Sequence, residues 1–110
     1  MPTAYKYSQI QGTAGTGTYA TLYTTPAATQ AVISSIVVCN QSSSQITFNI
    51  GLVDSAGTPS ASQFLVSGGA LAGNDTIALT LGIAMDPSKF IRVSSSASAC
   101  SFTAFVSEIT

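Results

Sequence analysis

The apolar residues of this chain recur at every second position. In Ile46-Thr47-Phe48-Asn49-Ile50-Gly51-Leu52 they alternate strictly with small or polar residues. Ile77, Leu79, Leu81 and Ile83 alternate in the same way with Ala78, Thr80 and Gly82. In the final run, Cys100, Phe102, Ala104 and Val106 share one side, and Ser101, Thr103 and Phe105 the other. A period of two belongs to strands that bury one face and show the other to solvent, as antiparallel sheets do. Ser and Thr supply 31 of the 110 residues, and they fill outward positions with side chains that strands tolerate.

One segment departs from the alternation. Between Ala31 and Cys39, the residues Val32, Ile33, Ile36, Val37 and Val38 put apolar groups on both faces. Such a strand is either central in a sandwich or covered on its second face by another subunit.

Turn chemistry separates the runs. Thr25-Pro26-Ala27-Ala28 precedes one strand, and Asn40-Gln41-Ser42-Ser43-Ser44 reads as a turn between two strands expected to pair as a hairpin. Asp54 to Pro59, Gly68-Gly69 and Gly73-Asn74-Asp75 punctuate the middle of the chain. Asp86-Pro87-Ser88-Lys89 has the composition of a type I turn. The result is an all-β expectation: a compact antiparallel β-sandwich of about seven or eight strands, Ig-like or jelly-roll. The length suits one domain. Residues 1–24 read as an N-terminal arm with the first strands, and 25–110 as the sandwich body. The arm holds all four tyrosines and Gly12, Gly15 and Gly17. Either it packs on its own domain, with a hairpin through the glycines, or it crosses to a neighbouring subunit, where tyrosine makes large, rigid contacts.

Composition excludes several functions. Three basic and four acidic side chains leave a net charge of −1. Lys6, Lys89 and Arg92 are too few and too scattered to neutralise phosphates, so neither nucleic acid nor an anionic membrane surface is an expected partner. There is no histidine, which removes the usual general base and the commonest metal ligand. Asp54, Asp75, Asp86 and Glu108 are isolated from one another in sequence. The expectation is a non-enzyme without catalytic residues, cofactor or metal. No run reaches the roughly 20 apolar residues of a membrane helix, and the start lacks the layout of a signal peptide. Cys39 and Cys100 allow one pairing. They read first as small buried hydrophobes, with a disulfide between facing strands as the alternative.

Four stretches together resemble a family of small virion structural proteins of tailed bacteriophages, especially phages of cyanobacteria. They are Thr3-Ala4-Tyr5-Lys6; Leu22 to Gln30 (LYTTPAATQ) running into Val37-Val38-Cys39-Asn40; Ala72 to Gly82 (AGNDTIALTLG); and Phe102 to Thr110 (FTAFVSEIT). The match follows most of the chain in order, and its motifs are strand edges and turns. The resemblance implies a compact β-sandwich present in many copies on the outside of a capsid, neck or tail, assembled in the host cytoplasm. It carries no catalytic residues.

The expected function is therefore a decoration or cement protein, working as a homo-oligomer (trimer or hexamer) and contacting the major capsid, neck or tail protein. Tyr5, Tyr7, Val32, Ile33 and Val37 are the candidate interface residues. The alternative is a tail or fibre module that recognises host-surface glycan.

Overall fold

The alternating runs become strands. The computed structural model describes residues 3–110; Met1 and Pro2, which begin the expected arm, lie outside the described residues. Nine strands follow in order: β1 (Thr3–Gln11), β2 (Gly15–Thr24), β3 (Gln30–Asn40), β4 (Ile46–Val53), β5 (Phe64–Leu71), β6 (Thr76–Leu79), β7 (Ile83–Met85), β8 (Phe90–Ser95) and β9 (Cys100–Ile109). The only helical piece among the described residues is a 3-10 turn at Ala61–Gln63.

The strands form two antiparallel sheets. One runs β1-β9-β3-β6, with β7 also paired to β3; the other runs β2-β8-β4-β5. The chain behaves as one long nested hairpin. β4 pairs with β5, β3 with β6 and β7, β2 with β8, and β1 with β9. Rolling that hairpin into two layers brings β9 against β3 and β8 against β4. This order is the jelly-roll rather than the Ig-like alternative.

The core lies between the layers. Leu22, Ile33, Ile36, Val38, Ile50, Ile91, Val93 and Phe102 are each 2% exposed or less. Phe48 meets Phe102 edge-on across the gap, with ring centroids 6.3 Å apart. Truncating a ring of this kind to alanine costs about 3–5 kcal/mol.

β3 lies between β9 and β6, the central position that the 31–39 segment allowed, and three other local expectations need correction. The apolar residues on both faces of the 31–39 segment arise partly from a β-bulge, since the β3–β9 register shifts between Ile33 and Ser35. The extra residue lets Ile33 and Ile36, three apart, both face inward. The run from Ile77 to Ile83 is two short strands, because Gly82 takes a φ of +60°, which breaks the extended backbone. The Asn40–Ser44 turn does not close a hairpin, for β3 and β4 lie in different sheets. Asn40 directs that crossing: its buried amide donates to the carbonyls of Ser44, Leu71 and Ala72 at 2.8, 3.2 and 3.0 Å. Ser88 has a φ of +61°, which a type II turn requires at its third residue and a type I turn does not.

The segment through Thr24 supplies one edge strand of each sheet. β1 and β2 do not pair as a hairpin; the glycine-bearing link carries the chain from one layer to the other. Ser95 holds that link, exchanging hydrogen bonds with Thr13 through side chain and backbone.

Candidate interaction face

Pairing places side chains in rows across the outer face of the β1-β9-β3 sheet, because directly opposed residues share a face. Tyr5 stands opposite Ser107, and Ser107 opposite Val32. Tyr7 stands opposite Phe105, and Gln9 opposite Thr103, which is opposite Val37. The rows expose large apolar groups: Tyr5 is 84% exposed, Tyr7 68%, Phe105 43% and Val32 41%. Tyr5, Tyr7, Ser34, Phe105 and Ser107 edge a shallow open groove of about 280 Å³. Lys6 and Glu108 fall in the inward phase of their strands, but Lys6, at the sheet edge, stays exposed and borders the same groove, where it pairs with Glu108.

Four of the five candidate interface residues thus come together: Tyr5, Tyr7, Val32 and the half-buried Val37. Ile33 does not. It is fully buried in the core, since its place before the bulge turns it inward, and it offers nothing to a partner. Phe105 belongs to the patch and was absent from the candidate set. Its outward place in the C-terminal alternation was the signal that could have found it.

Sequence reasoning also missed how β1 is anchored. The inward phase of β9 carries through Val106 to Glu108, so a carboxylate enters the interior and needs partners. Lys6 on β1 provides an ammonium 2.8 Å from one Glu108 oxygen, and Tyr23 on β2 donates its hydroxyl to the other. These hydrogen bonds, from Lys6 first and Tyr23 second, hold the Glu108 carboxyl below the usual carboxylate range. Burial, and then the Glu108 contact, pushes the Tyr23 hydroxyl well above its ordinary value. The trio ties the edge strand β1 to both layers. Ser8 adds a hydrogen bond from its hydroxyl to the Leu22 carbonyl at 2.5 Å.

Cys39 and Cys100 are free thiols. They do not sit on facing strands: β3 and β9 are neighbours, with Asn40 opposite Cys100 and Cys39 opposite Ser101. Adjacent rows point to opposite faces, so Cys39 turns outward and Cys100 into the core, and no disulfide joins them. Burial, and then the nearby Cys39, pushes the Cys100 thiol up to about 11. Among the described residues, no group of three His, Cys, Asp or Glu side chains converges to hold a metal, and no helix is long and apolar enough to cross a membrane.

No family model matches this chain, and no curated protein does. Solved structures do. The fold is similar to a chain in the crystal structure of the IBDV viral particle, with a TM-score of 0.57 at 10% identity over 96% of this chain and 30% of that one. It is similar also to a chain in the structure of infectious bursal disease virus, Gx strain, with a TM-score of 0.50 at 13% identity over 97% of this chain and 36% of that one. The chain therefore spans about a third of the chains it resembles, and at these identities the likeness concerns the fold.

Proposed function

We propose that this chain is a structural protein of a bacteriophage virion, decorating or cementing the exterior of the capsid, neck or tail. The observation that carries the reading is the open face bearing Tyr5, Tyr7, Phe105 and Val32, on a sandwich whose fold resembles chains found in viral particles. Aromatic side chains of this kind dominate protein contacts because they bury a large area with little loss of freedom. The resemblance to small phage virion proteins supports the same reading. A net charge of −1 leaves copies free to crowd together on a particle. The work is mechanical, with no chemical step and no cofactor, and its partners are other copies in three-fold or six-fold arrangement and the larger subunits beneath.

Gold-antibody labelling of purified particles, with copy number from the same preparation, tests this. Label over the head at high copy supports capsid decoration, and label at neck or tail at low copy supports a collar or tail part. Intact particles without label would sink the reading.

One observation favours glycan recognition as the second reading. The tyrosines stand on a rigid sheet beside Ser34 and Ser107, a combination of aromatic platform and polar neighbours that sugars use. Saturable binding to a host polysaccharide supports it, and silence across a glycan panel counts against it.

A further inference from the structure

The two sheets have four edges, and three of them are blunted. β6 and β7 are only 4 and 3 residues long. β5 pairs with β4 through two register shifts, with Gly68 at a φ of +67°. β2 pairs with β8 through two more. Short strands and bulges are how β proteins avoid adding strands from other chains. β1 has neither: it pairs with β9 over nine consecutive residues without a shift, and from Thr3 to Gln11 it contains no proline and one charge. That charge, Lys6, lies in the inward phase of the strand and pairs with Glu108 while its side chain stays 56% exposed, so it is the one guard this edge carries.

We propose that the free edge of β1 pairs with β1 of a second copy, antiparallel about a two-fold axis, so that two sandwiches share one continuous sheet. The occupant follows from self-complementarity. A two-fold contact uses the same surface twice, and an antiparallel strand presents to its copy the donors and acceptors it needs. Keeping the core sides together requires odd-numbered residues opposite odd ones. A register centred on Lys6 would set two ammonium groups against each other. Centring on Tyr7 sets Tyr7 against Tyr7, Tyr5 against Gln9 and Lys6 against Ser8, which joins the two aromatic faces into one. The pairing buries the backbone edge and the facing flanks of Tyr5 and Tyr7 from each copy, so its strength comes from the ladder of main-chain hydrogen bonds more than from area. That makes it a contact at the small end of the range, below about 1,200 Å². A two-fold contact fits a six-copy assembly, where it joins two three-fold rings. The pairing holds whether or not the chain belongs to a particle.

Sedimentation velocity of the full chain over micromolar concentrations reads the pairing. The wild type is expected as a dimer. Tyr7→Lys and Tyr7→Glu place like charges across the axis and each weaken self-association at least about tenfold. Mixing the two variants one to one restores the dimer, which an unfolded variant could not do. A wild type that stays monomeric, single variants that associate as the wild type does, or a mixture that does not recover would each overturn the proposal. A restored dimer together with unlabelled particles would remove the virion reading and leave this contact standing.

Discussion

The two outer faces of the sandwich are built by opposite means. The β2-β8-β4-β5 face is covered by its own chain. Asn49 sits at its centre, accepting from the Gly68 amide at 2.6 Å and donating to Ser94 Oγ at 3.1 Å, while Ser94 donates to the Thr16 carbonyl at 2.9 Å. Ser94 is fully buried, although it points away from the core. Arg92 reaches the Gly57 and Tyr19 carbonyls and Thr21 Oγ1, pinning the 54–60 loop to β2. Pro59 of that loop lies so close over Gly51 that a Cβ there would be 2.5 Å from its ring. The β1-β9-β3 face has no such cover: its rings stand open, whereas on the other face Tyr19 and Phe64 pack against each other with centroids 6.4 Å apart. Polar groups on one face are satisfied within the molecule; apolar groups on the other are left without partners. That asymmetry is the ground on which the proposed contacts are assigned to the bare face.

The comparison breaks most sharply at Asn49. Asn49→Leu removes the acceptor of the Gly68 amide and frees the segment around Thr16. We expect a loss of about 2 kcal/mol and a Tm lower by roughly 10 °C, read by calorimetry. An unchanged Tm would mean that the covering segments stay down without this side chain.

Glu108 gives the next effect, because it holds the bare sheet's edge strand from the inside. A carboxyl whose folded value is depressed contributes stability that is complete above its unfolded value of about 4.3 and is lost as pH falls through the folded value. Tyr23 is shifted the other way, so its contribution is complete below about pH 10 and is lost as pH rises further. Stability measured against pH should therefore decline at both ends. Glu108→Gln should cost about 1 kcal/mol at neutral pH, since the Lys6 head is largely solvated, and should flatten the acid decline. An acid limb as steep as the wild type's would place its origin elsewhere.

How much of this was legible depends on whether a signal is local. Alternation gave the strands and the inward phase of 100–106, because period two is a property of neighbouring residues. Continued by one step it would have delivered Glu108 as a buried carboxylate in need of a cation. The bulge at Ser34–Ser35 was not legible, since two serines between apolar pairs carry no local sign of a register shift, although the strand's central place was among the readings they allowed. Nor was the crossing after Asn40 legible: polar turns close hairpins and cross sheets with the same composition, and what decides is a bond to carbonyls some thirty residues away. Tyr5 and Tyr7 read as candidate contact residues on an arm that either packs on its own domain or crosses to a neighbour. The pairing of β1 with β9 places them on a sheet of their own domain.

Removing those rings tests the bare face directly. Tyr5→Ser with Tyr7→Ser should change the stability of the dilute protein by no more than about 0.5 kcal/mol, because neither ring touches the core. The same double variant should lose self-association and particle binding. A large drop in Tm would show that the rings already pack within the molecule, and the contrast between the faces would fail.

The smallest effect separates the bare face from the core one residue apart in register. Cys39→Ser should leave stability within about 0.5 kcal/mol of the wild type, since its thiol is only partly buried, on the outer face opposite Thr76 and Ser101. An alkylating reagent in native buffer should modify Cys39, while Cys100, buried and with its pKa raised to about 11, should react only as the sandwich opens. Mass spectrometry of the native protein should therefore find one label, on Cys39. A second copy docked over the adjoining rows would slow even that reaction at high protein concentration, and Tyr7→Lys would restore its rate. Labelling that is independent of concentration would confine the contact to the β1 edge and leave the face beyond β9 open.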